Sequence, residues 1–179
     1  MHIFLTGEVG CGKSTAIRRS LQMLGYPRLG GFRTITVPSL ELDALGELYI
    51  VAPDDAGNLR CRDNLVGIRW GGGKGTGFAS GFEVGGCRLL TTPPPDTKLL
   101  LMDELGTMER MAPQFCAAVL AALDGDLPVV GVVKPIHAPL LDAVRAHPRV
   151  LVISVDQENR DDLPVLICRL LHAGGTILG

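Results

Sequence analysis

Hydrophobic residues in this chain fall into short runs that alternate with amphipathic stretches. The apolar run His2–Thr6 ends at a glycine-rich loop, which is typical of a strand buried on both faces of a parallel sheet. From residue 13 to 24, apolar side chains recur at helical spacing, and Gly25 supplies a stop, so the pattern predicts an amphipathic helix. The N-terminal part of the chain is therefore predicted to be a strand, a glycine loop and a helix.

The same patterning predicts the remaining elements. Strands are expected at 31–37, 47–52, 78–84, 98–103, 128–133 and 150–154, and helices at 113–123, 140–146 and 161–172. The first two of these strands are expected to form antiparallel hairpins. The glycine stretch 71–77 is expected to be a mobile loop, because glycine has a high backbone entropy and supplies no packing. Since strands alternate with helices, we predict an α/β fold with a largely parallel central sheet, as a single domain over residues 1–179.

Composition narrows the class of protein. The 179 residues are 46% hydrophobic and 20% charged, which excludes a disordered tail and a highly charged coiled coil. A formal charge of −2 indicates no nucleic-acid partner, and the absence of an apolar run of about 18 to 20 residues indicates no membrane span. The cysteines are odd in number and form no CxxC pair, which favours neither disulfides nor zinc. We expect a cytoplasmic monomer.

Residues 7–15 match the phosphate-loop pattern GxxxxGK[ST] and lie between the first strand and the first helix, as that motif requires. Glycines in the loop allow backbone N–H groups to surround an anion, and the helix N-terminus adds the positive end of its dipole. Lys13 is expected to contact the β and γ phosphates, and Ser14 to bind Mg²⁺. The predicted nucleotide-binding residues are Gly7, Glu8, Val9, Gly10, Cys11, Gly12, Lys13, Ser14 and Thr15.

A pair of carboxylates follows a second buried run. Asp103 and Glu104 come directly after Leu99–Met102, at the carboxyl end of a predicted strand, where open parallel sheets bind ligands. This is the Walker B arrangement, in which Asp103 would hold the metal ion and Glu104 would polarise an attacking water. The alternative is an acidic cap of the helix that follows.

Several segments, taken in order, resemble one family: 7–15, then GFRT at 31–34, DELGTME at 103–109 and ENRD at 158–161. They resemble the small P-loop nucleoside-triphosphatases first described from thermophiles and also present in animals. The resemblance implies a RecA-like sheet of the additional-strand class. It also implies magnesium-dependent hydrolysis of several nucleoside triphosphates to diphosphate and phosphate.

The resemblance further implies roles for single residues. It assigns phosphate and metal binding to Lys13, Ser14 and Thr15, the metal-side carboxylate to Asp103 and the general base to Glu104. Arg33 is a candidate phosphate contact, with an exposed hairpin arginine as the alternative. Asn159 and Arg160 are candidates for contact with the base, with a helix cap and a surface arginine as the alternatives. Glu109 either supports the site or is a solvated carboxylate at the start of a helix.

The chain departs from the family pattern in places that bear on turnover. Residues 80–86 stand where relatives carry an arginine-valine-glycine word with a tyrosine, and the stretch from 86 to 98 is short. Lys134 stands where relatives tend to carry a threonine that senses the γ-phosphate.

Alternatives to hydrolysis remain open from the sequence. Lys74 in the glycine stretch is a candidate lid residue over the phosphates, and a flexible surface loop is the alternative. The same residues suit a kinase that transfers phosphate to a nucleotide or small molecule. They also suit a switch that binds a partner when loaded with triphosphate.

Overall fold

The computed structural model describes residues 1–39, 43–55 and 60–174. The strands are β1 (His2–Thr6), β2 (Leu29–Val37), β3 (Ala44–Val51), β4 (Leu65–Trp70), β5 (Gly75–Gly77), β6 (Leu99–Leu105), β7 (Val129–Val133) and β8 (Val150–Ser154). The helices are α1 (Lys13–Met23), α2 (Ala79–Gly81), α3 (Cys87–Thr91), α4 (Pro113–Asp124), α5 (Pro139–Ala146) and α6 (Leu163–Ala173). Across the described ranges, no helix has both the length and the apolar character needed to cross a bilayer.

All strands join one eight-stranded sheet in the order β5-β4-β3-β2-β6-β7-β1-β8. From β2 to β8 the neighbours pair in parallel, whereas β3, β4 and β5 continue the sheet as an antiparallel meander. β7 lies between β1 and β6, so one additional strand separates the strand that leads into the phosphate loop from the strand that carries Asp103. The predicted fold class is confirmed.

The central strands separate two hydrophobic cores. Successive side chains of a strand point to opposite faces of its sheet. Ile3 and Leu5 therefore pack with Ile167 of α6 on one face. Phe4 packs on the other face, in the cluster that contains Phe115 of α4. Burial on both faces explains why β1, β6 and β7 read as continuous apolar runs in the sequence.

The prediction of a strand at 78–84 is wrong. This stretch is helical: α2 continues through the π-helical residues Phe82–Gly86 into α3. Positions 81, 82, 85, 86 and 90 are buried, which is helical spacing, but three of these residues are glycines and carry no hydrophobic signal. Phe82 packs against Phe115 with ring centroids 5.1 Å apart, so this segment covers the sheet instead of joining it.

The prediction of a loop at 71–77 is wrong for residues 75–77, which form β5. Residues Gly71–Gly73 form a turn in which Gly72 has a φ of 71°, outside the helical region. β5 pairs with β4, and neither strand was predicted from the sequence. The indole of Trp70 donates a hydrogen bond to Thr76 Oγ1 at 3.1 Å. A Cβ at Gly77 would lie 3.0 Å from the carbonyl oxygen of Met108, so glycine here permits close packing of the strand. The other predicted elements are present, with ends that differ by a few residues.

His2 is a buried titratable residue at the start of β1, with 0% exposure. Burial, assisted by the nearby N-terminal amino group and Arg149, lowers its pKa from 6.5 to about 4. The folded protein therefore holds this imidazole neutral at pH values where the unfolded chain protonates it.

We expect this histidine to weaken the fold in mild acid. As the pH falls from about 6.5 to about 4, the unfolded chain gains a proton that the folded protein refuses, so the free energy of unfolding drops by about 3 kcal/mol. Urea unfolding of the wild type and His2→Phe at several pH values measures the free energy of unfolding. In the variant, this free energy should no longer show the fall that His2 contributes in mild acid. His137→Phe, at a side chain that is 98% exposed, is the control. If the free energy of unfolding of His2→Phe depended on pH as it does in the wild type, this role of His2 would be contradicted.

Candidate active site

The phosphate loop joins β1 to α1 at the carboxyl edge of the parallel strands. Gly7, Gly10 and Gly12 have φ values of 136°, 81° and 113°, in the region that residues with side chains rarely adopt. A Cβ at Gly7 would lie 2.7 Å from the carbonyl oxygen of Val155, so the loop packs tightly against the chain that leaves β8. No side chain caps the N-terminus of α1, where backbone N–H groups are available to an anion.

Lys13 lies at the centre of this loop. Its ammonium group donates hydrogen bonds to the carbonyl oxygens of Gly7 at 2.8 Å and Glu8 at 2.7 Å. The side chain is therefore folded back along the loop that it serves. Phosphate oxygens form shorter and stronger charge-assisted hydrogen bonds than neutral carbonyls. The arrangement thus holds a full positive charge where an anion would enter.

The two predicted carboxylates occupy different surroundings near the end of β6. Asp103 is half-buried, and its Oδ2 accepts a hydrogen bond from the backbone N–H of Thr34 at 3.4 Å. Burial raises the pKa of this carboxyl group and Glu104 adds to the rise, while the Thr34 hydrogen bond and the charge of Arg33 oppose it. A cation beside Asp103 would relieve the cost of burying its charge.

Glu104 is more exposed and pairs with a cation. Its side chain is 46% exposed, and Oε1 lies 2.8 Å from Nζ of Lys134. Lys134 directly follows β7, and its backbone N–H donates to the carbonyl of Leu105 at 3.0 Å. The sequence singled out Lys134 only as a departure from the family, and the ion pair with Glu104 was not predicted. It becomes visible once β7 is known to lie beside β6.

Glu109 supports the segment that follows Glu104. It is only 5% exposed, and its Oε1 and Oε2 accept the backbone N–H of Gly106 at 3.1 and 3.2 Å. Burial raises the pKa of the Glu109 carboxyl group, and its own backbone and the Gly106 N–H counteract the rise. The alternative of a solvated carboxylate is therefore wrong, because the side chain turns inward and fixes the backbone just beyond β6.

Arg33 lies in β2 and is half-buried. Its Nη2 donates a hydrogen bond to the backbone carbonyl of Asp55. Its charge also opposes the rise in the pKa of Asp103, so the guanidinium acts electrostatically on that carboxylate. The structure thus places Arg33 near the acidic strand end and not on an exposed hairpin surface.

The two C-terminal candidates are placed differently. Asn159 is engaged in the turn after β8, where Nδ2 donates to the carbonyl of Ser154 at 2.8 Å and Oδ1 accepts the N–H of Asp156 at 3.1 Å. Arg160 lies against the phosphate loop, and a Cβ at Gly12 would be 3.5 Å from its Cδ. Arg160 also lines a cavity of about 320 Å³ with residues of the loop and of α1.

A second cavity, of about 420 Å³, is lined by Val9 at the tip of the phosphate loop. Its walls include Val9, Glu104 and Lys134, together with Arg69 and Lys74 from the β4–β5 hairpin. Lys74 was a candidate lid residue in the sequence. Arg69 was missed, because β4 was not predicted and its pairing with β5 brings the arginine to this wall.

The residues present fit a magnesium ion. The hydroxyl of Ser14 and the carboxylate of Asp103 are hard oxygen donors of the kind that Mg²⁺ selects. Among the residues in the described ranges, no group of three or more histidine, cysteine, aspartate or glutamate side chains is placed to hold a metal. Magnesium does not need such a cage, because it commonly takes one or two protein ligands and completes its shell with phosphate oxygens and water.

The sequence is similar to a known protein family and to individual relatives. The NTPase family model matches residues 2–168. The chain is 27% identical over 163 residues to the nucleoside-triphosphatase THEP1 of Thermotoga petrophila, which covers 91% of this chain and 88% of the relative. It is 30% identical over 172 residues to the nucleoside-triphosphatase THEP1 of Methanosarcina barkeri, with 92% and 93% covered.

The fold also matches a solved structure. The crystal structure of THEP1 from the hyperthermophile Aquifex aeolicus is similar with a TM-score of 0.71 at 24% identity, over 96% of this chain and 99% of that one. At this identity the match bears on the fold alone.

We expect the buried carboxylate of Glu109 to stabilise the loop beyond β6. Glu109→Ala leaves the buried N–H of Gly106 without its acceptor and should lower the free energy of unfolding by about 1 to 3 kcal/mol. Glu109→Gln keeps an amide oxygen that can accept the same hydrogen bond, so its loss should be smaller. Urea unfolding of both variants measures the difference, and equal losses would contradict the role of the hydrogen bond.

Proposed function

Because this chain belongs to the NTPase family, we propose that it is a magnesium-dependent enzyme that hydrolyses nucleoside triphosphates of several bases to diphosphate and phosphate. Curated relatives of similar length are named nucleoside-triphosphatases. The observation that carries the proposal is the position of Glu104. It stands next to Asp103 at the end of β6, on the same edge of the sheet to which β1 delivers the phosphate loop.

Binding of the triphosphate would begin at the phosphate loop. Backbone N–H groups at the start of α1 and the ammonium of Lys13 converge on the space inside the loop. On binding, Lys13 would exchange its hydrogen bonds to the carbonyls of Gly7 and Glu8 for bonds to phosphate oxygens. In the free protein those two hydrogen bonds hold the loop in shape and give the half-buried ammonium group its partners.

The metal would lie between the start of α1, which carries Ser14, and the end of β6, which carries Asp103. Ser14 is in the first turn of α1, and Asp103 faces the same edge from β6. Bound magnesium supplies positive charge that offsets the charge of the phosphates and orients them. The burial that raises the pKa of Asp103 supports this assignment, since a carboxylate destabilised by burial gains most from a neighbouring cation.

Hydrolysis requires a base beside the γ-phosphate. Glu104 would accept a proton from water as the water oxygen bonds to phosphorus, and the electron pair of the broken P–O bond would stay with the departing diphosphate. Lys134, 2.8 Å from Oε1, orients this carboxylate, and Lys13 stabilises charge on the transferred group. Arg33 is a further positive charge on this edge of the sheet.

A broad base preference is supported by Asn159 and Arg160, which follow β8. The amide of Asn159 is occupied by the turn after β8, which reduces its capacity to read the edge of a base. Arg160 is exposed beside the loop, and a guanidinium stacks on any base through its ring face. Stacking without hydrogen bonds to base edges discriminates weakly.

We expect Lys13→Ala to weaken triphosphate binding. The loss of a charge-assisted contact should raise the dissociation constant by about ten- to a hundredfold. Calorimetric titration with a triphosphate and magnesium measures this constant. Lys98→Ala is the matched control, because Lys98 is exposed and precedes β6 at the opposite edge of the sheet. Unchanged affinity in Lys13→Ala would refute the phosphate-loop assignment.

We expect Glu104→Gln to separate binding from hydrolysis. Phosphate release from ATP, GTP, CTP and UTP should fall by about a hundredfold or more, because the amide cannot accept the proton, while triphosphate binding persists. Omission of magnesium should also abolish release.

The control for this variant is Asp126→Asn. Asp126 is an exposed carboxylate just before β7, at the opposite edge of the sheet. The Asp126→Asn variant should release phosphate from the triphosphates at the wild-type rate. Full activity in Glu104→Gln would show that Glu104 is not the base. Equal phosphate release without magnesium would show that the reaction does not require the metal.

A further inference from the structure

The cavity beside Glu104 is much larger than hydrolysis needs. Its volume is about 420 Å³, whereas a water molecule occupies roughly 30 Å³. Cavities of about 300 to 1,000 Å³ are typical of sites for small organic molecules. The cavity lies where a group that attacks the γ-phosphate would approach, because it is lined by Glu104 and by Val9 at the tip of the phosphate loop.

The floor of this cavity is apolar. Leu48, Val66 and Phe82 line it, and Val66 and Phe82 are almost fully buried. Met108 closes it towards the hairpin, since the close approach at Gly77 packs Met108 directly against β5. An apolar floor offers little to water and binds the carbon skeleton of an organic molecule.

Two cations of the β4–β5 hairpin line the cavity. Arg69 lies in β4, where it pairs in register with Gly75 of β5, and Lys74 directly precedes Gly75. Both side chains are exposed and line the cavity. None of the ion pairs found between described residues involves either of them, whereas Lys134 is paired with Glu104. Two positive charges that line one cavity favour the binding of an anionic group there.

We propose that this cavity binds a second substrate, a small hydroxyl compound that carries a phosphate or carboxylate group, and that the enzyme transfers the γ-phosphoryl group to its hydroxyl. The anionic group would lie at Arg69 and Lys74, the carbon skeleton on the apolar floor and the hydroxyl at Glu104. The inference rests on the proposed function, because it uses the same phosphate loop and the same carboxylate.

The transfer balances without a further reactant. The hydroxyl oxygen of the second substrate bonds to the γ-phosphorus, and its proton goes to Glu104. The bond from the γ-phosphorus to the bridging oxygen breaks, and its electron pair stays with the nucleoside diphosphate. The products are the diphosphate and a phosphate ester, and water takes the place of the hydroxyl when the cavity holds no second substrate.

Triphosphate labelled at the γ-phosphoryl group tests this directly. Purified protein is given labelled ATP and magnesium with glycerol 3-phosphate, glycerate or thymidine 5′-monophosphate, and in parallel with the uncharged compounds glycerol and thymidine. We expect label in an organic ester with at least one charged compound and none with its uncharged counterpart.

The other outcomes separate the two proposals. Label found only in inorganic phosphate with every compound would overturn the inference and leave hydrolysis standing. Ester formation from the uncharged compounds at equal rates would overturn the role of the cations. Ester formation with no release to water would support the inference and overturn hydrolysis. Label that stays in ATP throughout, despite triphosphate binding, would overturn both.

A double variant locates the second substrate. Arg69→Gln with Lys74→Gln should raise the KM of the charged acceptor about tenfold or more, with a much smaller effect on kcat, because the cations bind the acceptor away from the reacting atoms. Arg62→Gln is the control: Arg62 is an exposed arginine just before β4 that does not line the cavity. An unchanged KM for the acceptor in the double variant would show that Arg69 and Lys74 do not bind the second substrate.

Discussion

Parallel hydrogen bonding between β1, β7 and β6 carries the ends of these strands to one edge of the sheet, and the candidate active site depends on it. The register pairs Ile3 with Val130 and Leu101 with Val130, so the strands are aligned with little offset. The phosphate loop, Lys134 and the Asp103–Glu104 pair therefore leave the sheet side by side. Burial on both faces fixes this alignment, because a shift by one residue would exchange the two cores.

The change from parallel to antiparallel pairing at β2 provides the second half of the site. β2 keeps its parallel partner β6 on one side and takes the antiparallel partner β3 on the other. The meander from β3 to β5 then extends the sheet past the acidic strand end, and its outer hairpin forms a wall that parallel strands with helical crossovers would not supply. The phosphate-binding and cavity halves thus arise from two modes of pairing in one sheet.

Much of the phosphate-binding half of the site was predictable from the sequence, whereas little of the cavity half was. Residues 7–15 and 99–104 carry their signal locally, as glycine spacing and as an apolar run followed by acids. The inward turn of Glu109 and the Lys134–Glu104 pair depend on which strands are neighbours, which spacing does not reveal. The segment from 65 to 91 was predicted wrongly because glycines occupy its close contacts. Gly77 of β5 lies against Met108, and Gly86 lies against Phe115. Glycines at these positions hide the periodicity that hydrophobic residues would show.

The short, exposed edge strand of the meander has a consequence for local stability. β1, β6 and β7 contribute to both large cores, so they open only when the whole domain unfolds. β5 is a three-residue edge strand in which every residue is exposed. Its amide protons are therefore expected to exchange with solvent at far lower free energy than those of β1. Local opening of this wall would therefore leave the phosphate loop and the central strands folded.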